Sequence, residues 1–222
     1  MNEYETEEQQ VEALKKWWKE NGSSLIIGLA LGVSALFGWR YYSAQQEIHS
    51  LEASQIYMQV MQSVALNKVD EKTIDMNNKL INDYADTPYA SLSSMLLARS
   101  EYEKGNADMA ASQLELAQKH ASDEVLKQVS NLRLARLYIE QKNYDGAASA
   151  LAQKHPAAYD ALYEELNGDL YQARGELDQA KLSYDRAIKL HGPSAGKWLK
   201  MKRQNLGLLP EAATQAEQAE AS

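Results

Sequence analysis

Nineteen consecutive residues, Asn21 to Trp39, carry no charged side chain, and this stretch constrains the chain more than any other feature. At 1.5 Å rise per residue, an α-helix over it is roughly 28 Å long, close to the ~30 Å hydrocarbon thickness of a bilayer. From Leu25 to Trp39 only Ser34 has a polar side chain other than the terminal indole, and aromatic residues bracket the segment: Trp17 and Trp18 before it, Trp39, Tyr41 and Tyr42 at its end. Such rings suit the two headgroup interfaces, and a buried core helix has no need of them on both flanks. A cleaved signal peptide usually has a shorter apolar region and a small-x-small cleavage site, which Tyr42 spoils in Tyr42-Ser43-Ala44. Residues 21–42 therefore read as an uncleaved signal anchor. Lys15, Lys16 and Lys19 precede it, whereas Arg40 alone follows within twenty residues. That asymmetry predicts a cytoplasmic amino terminus and, in a bacterial cell, a periplasmic chain from Ser43 onward.

Within the anchor, Ser24, Gly28, Gly32 and Ala35 recur at three- and four-residue steps and share one helical face. Small residues on one stripe allow a second helix to approach closely in lipid. The preceding tail, residues 1–20, places Val11, Leu14, Trp17 and Trp18 at helical spacing, which predicts a short interfacial helix, while Glu3, Glu5, Glu7 and Glu8 read as solvated charge.

Beyond the anchor the periodicities are helical. From Ser43 to about Leu66 there is neither Gly nor Pro, and Leu51, Met58, Met61 and Ala65 define an apolar stripe with Tyr57 and Val64 beside it. A second helix is expected over Lys72 to Asp83, and Thr87-Pro88 marks the start of a third. An internal repeat follows. Gly168-x-x-Tyr171, Gly175 and Ala180-x-x-x-Tyr184-x-x-Ala187 resemble a tetratricopeptide repeat, with Pro193 beyond. Moving back 33 residues gives Ala135-x-x-Tyr138, Asn143-Tyr144 and Ala147-x-x-x-Leu151; 37 further back lie Ala98, Gly105 and Ala110-x-x-x-Leu114-x-x-Ala117. Glu101 replaces the first expected tyrosine, and Lys154 an expected alanine. With no period-two β-branched run to compete, the fold class is all-α: one amino-terminal transmembrane helix followed by a tetratricopeptide-like solenoid over residues 43–209. After Pro210 the chain holds no large apolar residue, and 210–222 reads as a disordered tail.

Several chemistries are excluded. No cysteine is present, which removes disulfides, thiolate metal sites and cysteine nucleophiles. His49, His120, His155 and His191 are scattered, no phosphate loop or nucleophile elbow occurs, and Glu164-Glu165 reads as surface charge on a helix. No enzyme, metal or cofactor is expected. A net charge of -8 provides no attraction for a phosphate backbone, so nucleic acid is not an expected partner.

Stacked helix pairs leave a concave face lined by the first helix of each pair. In the register above it comprises Leu92, Met95, Arg99 and Tyr102, then Val129, Leu132, Arg136 and Ile139, then Leu162, Glu165, Asp169 and Gln172. The first two sets, mostly apolar with two arginines, suit a hydrophobic peptide segment better than an acidic carboxyl terminus. The competing reading makes Leu92, Leu132 and their neighbours ordinary core.

Four segments stand out along the layout: Val11-Glu12-Ala13-Leu14-Lys15-Lys16-Trp17-Trp18, Gly38-Trp39-Arg40-Tyr41, Tyr84-Ala85-Asp86-Thr87-Pro88-Tyr89-Ala90 and Leu199-Lys200-Met201-Lys202. Together with the acidic tail and the Gly-rich anchor they resemble the YfgM family of ancillary SecYEG translocon subunits. Arg203 and Gln204 depart from the acidic residues expected after the last of these segments. The resemblance implies a single-pass inner-membrane protein with a periplasmic tetratricopeptide-like domain. It also implies association with SecYEG and with the membrane-anchored periplasmic chaperone PpiD, in aid of exported client polypeptides, and no catalytic residue. The alternatives are a self-associating inner-membrane scaffold, joined through Gly28 and Gly32, and an envelope-stress regulator acting through residues 1–20.

Overall fold

The computed structural model describes residues 7–206, among which the regular structure is entirely helical. Nine α-helices follow in order: α1 (Glu7–Ala65), α2 (Glu71–Asp83), α3 (Tyr89–Glu103), α4 (Ala107–Lys119), α5 (Glu124–Glu140), α6 (Tyr144–Leu151), α7 (Asp160–Ala173), α8 (Leu177–His191) and α9 (Lys197–Asn205). They form two compact units, one up to Glu52 and one from Ala53. The acidic residues Glu3 and Glu5 and the expected tail 210–222 lie outside the described residues.

In the first unit, α1 is long and apolar enough to cross a membrane. Leu25, Ile26, Leu29, Leu31, Leu36 and Phe37 are all exposed. Among the described residues no separate interfacial helix precedes it: α1 runs from Glu7 and carries Val11, Leu14, Trp17 and Trp18 without a break.

The second unit opens with the end of α1 packed into a small cluster. Here the sequence expectation fails: Met58 and Met61 are exposed, as are Leu51 and Ala65, whereas Ala53 and Val60 are fully buried and Tyr57 and Val64 are half-buried. Ala53, with Ile56 and Tyr57 beside it, packs with Leu80 and Tyr84 at the end of α2 and Ala90 on α3, and the Tyr57 and Tyr89 rings lie 5.6 Å apart. Bulk was the wrong guide. Compact Ala53 and Val60 permit close helix approach, while the longer thioethers on the neighbouring face would hold the helices apart.

Three antiparallel pairs, α3/α4, α5/α6 and α7/α8, follow in the expected register. The first helix of each ends in the same turn, with Gly105, Lys142 and Gly175 at φ +83°, 59° and +79°. The next N–H then donates five residues back, Asn106 to Glu101, Asn143 to Tyr138 and Glu176 to Tyr171, at 2.9, 2.9 and 2.8 Å, which satisfies carbonyls the helix leaves open. Lys142 occupies a position that favours glycine, at a cost of about 1 kcal/mol. Lys142→Gly is expected to raise the melting temperature of the full-length protein in detergent by about 2 °C, because relief of that strain outweighs the added freedom of the unfolded chain. A scanning calorimeter or a circular-dichroism melt measures it.

The departures from the repeat have local uses. Glu101, buried where a tyrosine was expected, accepts from Lys104 Nζ and Asn106 Nδ2 at 2.8 Å each and so clasps its own turn. These two hydrogen bonds hold its carboxyl below the ordinary glutamate value. A depressed folded value stabilises fully above the unfolded pKa near 4.5 and is lost as pH falls through the folded one. Glu101→Gln is therefore expected to lose about 1 kcal/mol at neutral pH, with the gap to wild type closing below pH ~4.5; urea melts at pH 7 and pH 3.5 check both arms. Lys154 falls beyond α6, which stops at Leu151, so the missing alanine has no partner to meet.

Candidate peptide groove

The first helices of the pairs bring most of the predicted concave residues together, in two distinct roles. Met95 and Leu132 are buried: Met95 belongs to the α3/α4/α5 core with Leu114 and Leu137, and Leu132 to the α5/α6/α7 core with Leu151 and Leu166. Leu92 and Val129 flank the first core, half-buried, and Ile139 flanks the second. Arg99, Tyr102 and Arg136 are exposed. The predicted face is thus a core floor with a polar and basic rim.

Two hollows open on it. The first, about 350 Å³, lies between α3 and α5, with Met95, Ala98, Leu114 and Leu137 as floor and Arg99, Tyr102, Arg133, Arg136 and Glu140 around it. The second, about 200 Å³, lies between α5 and α7 over Val129, Leu132, Leu162 and Leu166. Arg133 and Arg136 border both. At the far end of the first hollow Tyr102 Oη donates to Glu140 at 2.6 Å, tying α3 to α5, and that bond pushes the phenol pKa up.

Toward the carboxyl end the face is closed by the protein's own charges. Lys202 on α9 donates to Glu165 at 2.9 Å and to Asp169 at 2.8 Å, with all three side chains about four-fifths buried. Gln172 and Asp169 both accept from Tyr184 Oη. Burial in this anionic setting drives the Tyr184 hydroxyl pKa sharply upward. Glu164 pairs with Arg186 at 2.9 Å, so the Glu164-Glu165 pair is engaged in ion pairs rather than solvated as expected. Arg203, the departure noted near the end of the chain, pairs with Asp185 at 2.7 Å.

Two features escaped the pattern. Arg133 stands in the register position of Leu96 and Leu166, so apolar periodicity passes over it, yet it borders both hollows and its Nη1 lies 3.6 Å from Met95 Sδ. Asn131 is the other: buried, it donates at 2.8 Å to both Ala150 O and Tyr163 Oη, and Tyr163 in turn donates to Gln128. This polar tie fixes α5 against α6 and α7 beneath the second hollow. Its signal was three polar residues at core positions.

Ser24, Gly28, Gly32 and Ala35 are exposed, and a Cβ added at Gly28 or Gly32 would meet no atom within 4 Å. Among the described residues no cluster of His, Asp and Glu could hold a metal ion.

Comparison with known proteins agrees with this architecture. Residues 15–208 match a family model described as a tetratricopeptide repeat-like domain. The chain is 34% identical over 209 residues to the ancillary SecYEG translocon subunit of Escherichia coli (strain K12), covering 94% of this chain and all of that protein. It is 32% identical over 201 residues to the protein of the same name from Haemophilus influenzae, covering 90% and 97%. A third, from Neisseria gonorrhoeae, is 26% identical over 203 residues. No solved structure matches the chain.

Proposed function

We propose a function from the premise that this chain belongs to the YfgM family of ancillary SecYEG translocon subunits: it is a non-enzymatic binding subunit of the Sec translocon at the inner membrane. The observation that carries the proposal is the relationship along 94% of the chain to a protein of that name. In this reading residues 1–20 are a cytoplasmic tail and 21–42 the anchor, oriented by Lys15, Lys16 and Lys19 against Arg40. Residues 43–209 form the periplasmic domain and 210–222 trail from it. The anchor holds the repeat domain at the translocon exit, where tethering raises its effective concentration near emerging chains. The concave face then engages a periplasmic chaperone, PpiD, or the exported polypeptide itself. Floor residues Met95 and Leu132 shape the groove, Leu92, Val129 and Ile139 support it, and Arg99, Tyr102 and Arg136 meet the partner.

Purifying the full-length protein with a carboxyl-terminal tag from membranes in mild detergent, followed by mass spectrometry, tests this. The expected result is co-purification of SecY, SecE, SecG and PpiD. Recovery of the protein with only further copies of itself would overturn the proposal in favour of a scaffold joined through the Ser24, Gly28, Gly32 and Ala35 face.

A further inference from the structure

We infer that the groove selects peptide segments carrying an acidic side chain between apolar ones, with the carboxylate held at Arg133 and Arg136; this rests on the concave face being the binding surface. The register position shared by Arg99, Arg136 and Asp169 shows why the centre is special. At the amino-terminal end Arg99 is paired with Glu103 on its own helix at 2.8 Å. At the other end Asp169 receives Lys202 from α9 at 2.8 Å. Both ends of the face are thus neutralised from within. Among the described residues neither Arg136 nor Arg133 has a carboxylate within ion-pair distance. Two guanidinium groups one helical turn apart are left without a direct ion pair, since the carboxylates that share their hollows, Glu140 and Glu165, are engaged by Tyr102 and Lys202.

Their surroundings define the rest of the ligand. Arg133 and Arg136 border the hollow over Met95 and Leu137 on one side and the hollow over Leu132 and Leu166 on the other. An extended or helical segment laid across α5 would set apolar side chains into the two hollows and its carboxylate between them. Guanidinium donors and low-dielectric walls strengthen such a hydrogen-bonded pair relative to one in open water. A wholly apolar segment would fill the hollows but leave the two cations unmatched, and a basic segment would be repelled.

The test uses immobilised full-length protein in detergent and a displayed library of random 12-residue peptides. The expected consensus has Asp or Glu flanked on both sides by Leu, Met or Phe. Replacing that acidic residue with its amide in a selected peptide is expected to weaken binding about tenfold or more. The preference should vanish in the Arg133→Gln/Arg136→Gln double variant, whose melt should match wild type because both side chains are exposed. An apolar consensus indifferent to acidic residues would overturn this inference and leave the groove standing. No enriched peptide, or acid-dependent binding that survives the double substitution, would overturn both.

Discussion

Leu132→Asp is expected to unfold the repeat domain. Leu132 sits on the floor of the groove, but only 9% of it is exposed, and it packs with Ala135, Leu151 and Leu166 between α5 and α7. The substitution removes a buried leucine's transfer free energy and places a carboxylate where water is excluded. The combined loss is at least about 4 kcal/mol, against a total of roughly 5–15 kcal/mol for an ordinary domain. A circular-dichroism melt of the full-length variant should show the cooperative transition lowered by ten degrees or more, or absent. Arg136→Gln, one turn away and exposed, should leave the melt unchanged. A native melt for Leu132→Asp would make Leu132 a surface contact and contradict the core described above.

Gly168→Ala is the second large effect, and its sign separates two forces. In a helix interior alanine is favoured over glycine by about 1 kcal/mol. A Cβ at Gly168, however, would stand 2.5 Å from Cδ1 and Cε1 of Tyr184. That ring is fully buried and pinned through its hydroxyl to Asp169 and Gln172. It has no free space to swing into, so α7 and α8 must separate. The net result should be a loss of about 2 kcal/mol. In a Tyr184→Leu background the same substitution should cost less than half as much, since Cε1 is gone and the remaining Cδ1 belongs to a smaller side chain no longer pinned through a hydroxyl; urea melts of the four proteins complete the cycle. Stabilisation by Gly168→Ala in the wild-type background would show that packing there is looser than the contact distance implies.

Much of the architecture was legible because the repeat places its signals at fixed offsets. Ala98, Ala135 and Gly168 share one register position, as do Gly105, Lys142 and Gly175, and each trio recurs in the same structural role. The helix over the charge-free run from Asn21 to Trp39 was legible for a different reason, since its signal is composition over a length rather than a particular packing partner. What sequence periodicity missed is where helix approach depends on size. On α1, hydrophobicity favoured Met58 and Met61, whereas the packed face belongs to Ala53 and Val60. The positions on the first helices were legible from the register, but not their individual surroundings. Register placed Arg99, Arg136 and Asp169 on one face, yet only long-range pairing separates them, because Lys202 lies 33 residues from Asp169. Arg133 and the Asn131–Tyr163 tie stayed hidden, as polar residues in apolar register positions look like errors in a pattern until their partners are known.

The central claim is that the concave face, rather than another side of the solenoid, meets the translocation machinery or its clients. A photo-crosslinking amino acid placed at Leu162, which borders the second hollow, tests it in membranes containing SecYEG, with Leu182 on α8, exposed and outside both hollows, as the comparison. The account predicts protein adducts from Leu162, reduced by Arg133→Gln/Arg136→Gln, and none above background from Leu182. Adducts from Leu182 with none from Leu162 would contradict it.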